Sequence, residues 1–317
     1  MVDVTLIGTG ALQPLPGRAL ASAAITCGGR VLLLDCGEGT QAAARRAGVS
    51  LVKIDVIALT HYHGDHTLGL PGLWQSMAMA GRTEPVYLLG PAGLDEAMKP
   101  FGMLCPRLPF ELRLTEPAPE GIALGSLIPG WPEMAVLTPF PTRHRVPSQG
   151  YRFDLRRTGR FQPECARALG VPVEQWKVLK RGEPVTVGGL AVVPEQVMTA
   201  PRRGISVVYT GDTSPCESVA LAAEDADILI GDATYGEAAQ EAQALEHGHM
   251  TFVQAAQLAQ RAGAHELWLT HYSPMVEEPE AYLAGAQAVF SQTVCGQDGM
   301  RRTLRFKNPN IRQKSVI

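Results

Sequence analysis

Four potential metal ligands lie within six residues of this sequence. The segment reads His61-Tyr62-His63-Gly64-Asp65-His66. Imidazole nitrogens and carboxylate oxygens are accepted as ligands by zinc, manganese and ferrous iron. His61 and His63 project to the same side of an extended chain, and Asp65 and His66 follow where the backbone bends towards a helix. The spacing therefore predicts that these four groups face two adjacent metal ions.

Strand ends are the elements that must position such a cluster. An apolar, β-branched run at 56–59 predicts a strand that leads into His61. Three further candidate ligands, His144, Asp212 and His271, follow apolar runs at 136–141, 205–209 and 267–269. Side chains at the ends of several strands can converge on one point, so we expect the three to join the cluster.

The rest of the chain alternates short apolar strands with Gly-rich turns and a few helices. Strand ends that carry motifs occur from residue 8 to residue 271, which predicts a single domain over 1–317. Residues 152–181 differ in character, with eight Arg or Lys residues against three acidic ones. We predict an inserted arm there, with a solvated loop and short helix as the alternative.

Composition excludes some classes of function. The net charge of −3 and the pI near 6.3 argue against a generally basic nucleic-acid binder. No apolar run approaches the roughly 18 residues of a membrane span, and the N-terminus lacks a signal-peptide pattern, so no membrane partner is predicted. The six cysteines form no CxxC pair, and we expect reduced thiols in a cytoplasmic protein.

The sequence resembles the ribonuclease Z family of the metallo-β-lactamase superfamily, whose members remove 3′ trailers from tRNA precursors. The resemblance spans residues 2–275. Its motifs, in chain order, are Leu6-Ile7-Gly8-Thr9-Gly10-Ala11, Leu34-Asp35-Cys36-Gly37-Glu38-Gly39-Thr40-Gln41, the 61–66 cluster, Gly69-Leu70-Pro71-Gly72-Leu73, His144-Arg145-Val146-Pro147-Ser148, Gly211-Asp212-Thr213 and Leu269-Thr270-His271.

The resemblance implies an α+β fold, a four-layer αββα sandwich with the metals at the edge of its two sheets. It implies two Zn²⁺ ions per subunit, with Mn²⁺ or Fe²⁺ as alternatives. By the same analogy one metal is held by His61, His63 and His144, and the other by Asp65, His66 and His271. Asp212 would bridge the two.

The resemblance also implies roles in the reaction. Asp65 would orient the attacking water or take its proton. His249 would protonate the leaving 3′ oxygen with support from Asp232. The predicted substrate contacts are Arg18 and, on the arm, Arg156, Arg157 and Lys177. A homodimer is implied, in which the arm of one subunit serves the site of its partner.

Several positions depart from the family pattern. Asp232 stands where the family has Glu, Gly231 replaces His, Met250 replaces Ser and Met275 replaces an arginine. The arm also lacks the family's Gly-Pro motif. Three hypotheses therefore stay open: an endoribonuclease acting on precursor tRNA, a hydrolase of a small phosphodiester, lactone or other ester, and a non-catalytic scaffold.

Overall fold

The structure is a computed structural model that describes residues 1–306. Its strands, in chain order, are β1 (Val2–Gly8), β2 (Ser22–Cys27), β3 (Arg30–Leu34), β4 (Ile54–Ala58), β5 (Val86–Leu89), β6 (Leu112–Thr115), β7 (Ile122–Ala123), β8 (Ala135–Pro141), β9 (Gln149–Arg157), β10 (Val185–Val187), β11 (Leu190–Val192), β12 (Arg202–Tyr209), β13 (Ile228–Asp232), β14 (Leu267–Thr270), β15 (Thr293–Cys295) and β16 (Arg301–Leu304).

Its α-helices are α1 (Thr40–Arg46), α2 (Gly64–Thr67), α3 (Leu70–Met79), α4 (Leu94–Leu104), α5 (Leu124–Leu127), α6 (Pro163–Ala168), α7 (Trp176–Lys180), α8 (Glu217–Ala222), α9 (Glu241–His247), α10 (Phe252–Ala262) and α11 (Leu283–Val289). Helix α10 has a capping residue at each end. The Thr251 hydroxyl accepts from Gln254 N–H at its start, and Gly263 ends it with a φ of 63°. Within 1–306 no helix is long and apolar enough to cross a bilayer.

The strands form two seven-stranded sheets. The first runs β16-β1-β2-β3-β4-β5-β6 and the second β15-β14-β13-β12-β9-β8-β7. Strands β3 to β6 are parallel to one another, as are β12 to β15, so each group delivers its carboxyl ends to one sheet edge. That edge is where the predicted ligands follow their strands.

Alternating side chains build the layers. In β4, Val56 and Ala58 pack into the core between the two sheets, where they join Phe153 and Trp268. The intervening Ile57 packs instead against the outer helices of the first sheet. Helices α8, α10 and α11 cover the outer face of the second sheet in the same way. The predicted α+β fold with four αββα layers is confirmed.

Residues 156–204 form a second compact unit, whereas 1–155 and 205–306 form the first. The second unit contains α6, α7 and the β10–β11 hairpin around a small core of its own, made of Ala166, Val171, Leu179, Val185, Val192 and Val197. It is basic, with nine Arg or Lys residues against four Glu. The predicted arm, 152–181, overlaps this unit but begins inside β9, which pairs with β8.

A buried ion pair lies at the N-terminal end of β4, the end opposite the metal cluster. The Asp55 carboxylate is fully buried and accepts hydrogen bonds from Arg82 Nη2 (2.9 Å), Arg30 Nη1 (3.3 Å) and Trp131 Nε1 (3.0 Å). Arg82, only 2% exposed, also donates to the backbone carbonyl oxygen of Val52 (2.7 Å). Every charged group in this cluster is therefore hydrogen-bonded.

Removing the Asp55 carboxylate is expected to destabilise the fold strongly. In Asp55→Ala the Arg82 guanidinium stays buried without its counter-charge, which costs about 3–5 kcal/mol of unfolding free energy. Urea denaturation followed by circular dichroism measures the loss. The matched control, Asp3→Ala, removes the partner of a half-exposed Arg301 and should cost less than about 1 kcal/mol. Equal losses in the two variants would contradict the prediction.

Candidate metal centre

The structure brings all seven predicted ligands together at one edge of the sandwich. His61, Asp212 and His271 follow the carboxyl ends of β4, β12 and β14, and His144 follows β8. The short helix α2 then turns Asp65 and His66 back towards the strand ends. The ligands form two adjacent groups, and within each group the ligand atoms lie within 4.8 Å of one another: His61, His63, His144 and Asp212 in the first, and Asp65, His66 and His271 in the second.

The first group contains three imidazoles and one carboxylate oxygen. His61 Nε2 lies 3.0 Å from His63 Nδ1, which is 3.4 Å from His144 Nε2. Asp212 Oδ2 lies 3.6 Å from His61 Nε2. His61 is fully buried, whereas His63 and His144 are half-buried. Three nitrogens and one oxygen converge as in a four-coordinate zinc site.

The second group borders Asp212 of the first. His66 Nε2 lies 3.1 Å from His271 Nε2, and Asp212 Oδ1 is 3.2 Å from each of these nitrogens. Asp65 Oδ2 is 3.5 Å from His271 Nε2 and 3.8 Å from His66 Nε2. Because each oxygen of Asp212 faces a different group, its carboxylate links the two groups.

This donor set fits a divalent cation. His66 Nδ1 donates to Asp35 Oδ2 (2.8 Å) and His271 Nδ1 lies 2.9 Å from Thr234 Oγ1, so both Nε2 lone pairs face the 3.1 Å gap between them. Two facing lone pairs repel unless a cation lies between them. Asp212 Oδ1 borders the same gap, buried and without a hydrogen bond, a costly arrangement that a metal would remove.

Known proteins resemble this chain over nearly its whole length. The model of the beta-lactamase superfamily domain matches residues 30–272. Ribonuclease Z of Lachnoclostridium phytofermentans is 40% identical over 96% of this chain and 99% of its own, and that of Lachnospira eligens is 40% identical over the same shares. The chain belongs to the ribonuclease Z family.

A solved structure agrees with this assignment. The short form of human tRNase Z is 26% identical, superposes with a TM-score of 0.66, and covers 96% of this chain and 100% of its own. This ribonuclease Z-family chain is therefore a metal-dependent hydrolase of the endoribonuclease type. Its cluster of histidines and aspartates, described above, is able to bind metal.

Hydrogen bonds on the outer side of the imidazoles fix their orientation in this ribonuclease Z-family site. His61 Nδ1 lies 3.0 Å from the Thr60 hydroxyl, and His144 Nδ1 donates to the Gly248 carbonyl (2.9 Å). His66 and His271 are held in the same way. In all four histidines Nδ1 is occupied, so Nε2 faces the cluster as a ligand atom.

The pKa shifts of His61, Asp212 and Asp65 favour the forms of these groups that bind metal. Burial lowers the pKa of His61 well below its usual value, which keeps that imidazole neutral. Burial alone would raise the pKa of Asp212, but the surrounding histidines, His271 foremost, outweigh it and hold this pKa well below the usual range. Burial likewise acts to raise the pKa of Asp65, and the His271 hydrogen bond reverses it. Both carboxylates are ionised at neutral pH.

His249 lies beside the ligands. Its ring stacks on His271 at 5.4 Å and meets His144 edge-on at 5.1 Å. Its Nδ1 donates to Asp232 Oδ2 at 2.8 Å, so the shorter Asp still reaches the imidazole. Burial alone would lower the pKa of His249, but the Asp232 charge and hydrogen bond raise it to about 9. The imidazole is thus protonated at neutral pH and can donate a proton.

None of the four predicted substrate contacts belongs to the ligand set. Arg18 donates to the carbonyl oxygens of Val276 (2.7 Å) and Glu277 (2.9 Å), which ties its loop to the segment after His271. Arg156, Arg157 and Lys177 belong to the second unit. Their role in substrate binding stays a prediction.

Asp35 is a supporting residue whose role the sequence did not reveal. It is fully buried with a φ of 55°, and accepts from Thr60 N (2.7 Å), His66 Nδ1 (2.8 Å) and the Tyr209 hydroxyl (3.0 Å). The sequence marks it only as part of a Gly-rich turn. A buried carboxylate surrounded by donors is a strong acceptor that orients His66.

Replacing Asp35 with asparagine is expected to weaken zinc binding about 10–100-fold. The new NH₂ group would face donors only, so His66 would lose the acceptor that orients it. Competition with a chromogenic chelator measures the affinity. Asp55→Asn is the matched control, since it changes another buried carboxylate that contacts no ligand. Unchanged affinity in Asp35→Asn would contradict the prediction.

Proposed function

We propose that this chain cleaves precursor tRNA on the 3′ side of the mature sequence and releases the trailer, using two Zn²⁺ ions per subunit. The proposal is supported by the ribonuclease Z and tRNase Z names of its relatives. The observation that carries it is the His249–Asp232 pair packed against the ligand His271. An acid in that position is what a poor alkoxide leaving group requires.

The residues divide the reaction between them. Divalent metals bound here would acidify a water and offset charge on the phosphoryl oxygens. Asp65, ionised and half-buried, orients the attacking water and takes its proton. As the water oxygen bonds to phosphorus, the bond from phosphorus to the 3′ oxygen breaks and His249 gives its proton to that oxygen. The products are a 3′-hydroxyl on the tRNA and a 5′-phosphate on the trailer.

The basic second unit supports an RNA substrate. Phosphate backbones are gripped mainly by Arg and Lys side chains. Arg156 and Lys177 are exposed there, and we propose that they bind the tRNA backbone together with Arg157, with Arg18 as a further contact. We also propose a homodimer in which each arm serves the partner's site. The six free thiols support a location in the cytoplasm.

Incubating the zinc-loaded protein with a precursor tRNA that carries a labelled 3′ trailer tests this function. We expect one cut at the 3′ side of the mature sequence, with the end groups given above, and no cut after chelation. Mn²⁺ or Fe²⁺ reconstitution compares the alternative metals. An intact precursor, with a small phosphodiester or a lactone hydrolysed in parallel, would overturn the tRNA substrate. No hydrolysis of any ester would favour a scaffold.

A further inference from the structure

Leu12 has a backbone conformation that leucine rarely adopts. In residues 1–306 four non-glycine residues have a positive φ: Leu12 (66°), Asp35 (55°), Asp225 (51°) and His271 (62°). Asp35 and His271 belong to the metal centre, and aspartate tolerates this region better than most residues. For a leucine the conformation is strained, and strained residues cluster at functional sites.

The strain belongs to a tight turn that faces Asp65. Gln13 N–H donates to the Ala11 carbonyl at 2.7 Å, a bond that encloses only Leu12. A hydrogen bond over one residue of positive φ defines the rarer and more strained form of γ-turn. The N–H of Leu12 donates to Asp65 Oδ2 at 2.8 Å. The turn therefore holds the carboxylate that we propose as the base.

The segments on both sides of the turn are fixed to the loop after His271. Ala11 N–H donates to the Tyr272 carbonyl at 3.0 Å, and Tyr272 N–H donates back to Thr9 at 2.8 Å. On the C-terminal side of the turn, the Arg18 guanidinium donates to the carbonyl oxygens of Val276 and Glu277 in the same loop. A strained conformation persists when its surroundings determine it in this way.

The side chain of Leu12 plays no part in this arrangement. It is 69% exposed, although a glycine would adopt the turn without strain and supply the same N–H. An exposed leucine thus lies one hydrogen bond from a carboxylate at the metal centre, and packing does not explain its side chain.

We propose that Leu12 is a specificity-determining residue whose side chain contacts the base of the nucleotide that carries the scissile phosphate. This proposal rests on the proposed function, because it takes the ligand to be a nucleotide. The N–H of Leu12 donates to Asp65, so Leu12 lies next to the metal centre. A nucleoside attached to a phosphate bound in that centre would therefore lie close to the Leu12 side chain. An uncharged aliphatic group packs against the flat face of a base through dispersion and burial of apolar surface, and it makes no electrostatic interaction with the phosphate.

Two phosphodiesters with the same leaving group isolate the contact. Thymidine 5′-(p-nitrophenyl phosphate) carries a nucleoside, whereas methyl p-nitrophenyl phosphate does not. In Leu12→Asn, the ratio of kcat/KM for the first over the second is expected to fall about 5–20-fold, mainly through KM. Asparagine has nearly the same size and tolerates positive φ, so zinc content should not change and the melting temperature should not fall. An unchanged ratio would overturn the proposal.

Two other variants serve as controls. Leu12→Met keeps an apolar side chain and should hold the ratio within about twofold of the original protein. Leu221→Asn makes the same change at another exposed leucine, on α8, and should leave the ratio as it was. A fall of similar size in Leu221→Asn would count against a contact at Leu12.

Product binding separates this proposal from the proposed function. A 5′-phosphorylated RNA trinucleotide mimics the released trailer, and calorimetry on the zinc-loaded protein gives its Kd. We expect Leu12→Asn to weaken it about 5–20-fold while inorganic phosphate binds as before. If Leu12→Asn weakens trinucleotide binding but precursor tRNA stays intact, only the proposal of a tRNA substrate is rejected. If the precursor is cut but the trinucleotide binds both proteins equally, or does not bind at all, Leu12 has no such role.

Discussion

Replacing Asp65 with alanine is expected to reduce phosphodiester hydrolysis by more than about 10⁴-fold. The carboxylate has two functions in the proposed mechanism. It is a ligand beside His66 and His271, with Oδ2 3.8 and 3.5 Å from their Nε2 atoms. It is also the ionised group that orients the attacking water. Steady-state rates on an RNA and a p-nitrophenyl diester, with metal content by atomic emission, measure the two effects together.

Asparagine at the same position separates the ligand role from the proton role. In Asp65→Asn the amide oxygen can still face the metal and accept from Leu12 N–H, but it cannot take a proton near neutral pH. We expect metal content close to that of the original protein and a loss of at least about 10²-fold in kcat. Asp225→Asn, which alters an exposed carboxylate paired with His265, is the control. A rate for Asp65→Asn within tenfold of the original would show that Asp65 is not the base.

The ligand set could be predicted because its signal is local in the sequence. An apolar run followed by His or Asp marks a strand end, and parallel strands bring such ends to one edge. His61, Asp212 and His271 all follow this rule. Their convergence can be predicted without the loop geometry, because the parallel register of the strands places the residues after them at the same sheet edge. The same reasoning predicts the layers, since β3, β4 and β5 are mostly apolar and are buried on both faces.

Features that depend on backbone angles or on distant partners could not be predicted from the sequence. Gly39 precedes α1 with a φ of 82°, and the Thr40 hydroxyl donates to the Gly37 carbonyl instead of capping the helix. The strain at Leu12 and the donors around Asp35 likewise arise from segments far apart in the chain.

The arm shows how a charge run can conceal a strand. The predicted arm begins at Arg152, yet Arg152 and Asp154 alternate in β9 with the buried Tyr151, Phe153 and Leu155. Arg152 pairs with Asp154 at 3.0 Å and donates to the carbonyl oxygens of residues 222 and 224. Alternating burial along the chain, rather than net charge, shows which residues still belong to the strand.

Replacing His249 with alanine is expected to slow RNA cleavage about 10²–10⁴-fold. The leaving 3′ oxygen of ribose is a strong base that departs readily only when protonated. p-Nitrophenolate leaves without an acid, so hydrolysis of a p-nitrophenyl diester should fall less than about tenfold. The difference between the two losses, measured as kcat, isolates proton donation from binding and from metal chemistry.

Metal content decides between this role and a ligand role for His249. Its nitrogen lies near Asp212, Asp232 and His271 in an arrangement that could also hold an ion. If His249 is the acid, His249→Ala keeps its metal content and Asp232→Asn shows a smaller loss on RNA, because the imidazole stays in place without its partner at 2.8 Å. His265→Ala changes an exposed histidine and should match the original protein. Equal losses on both substrates, together with lost metal, would assign His249 to the ligands and leave the 3′ oxygen without an acid.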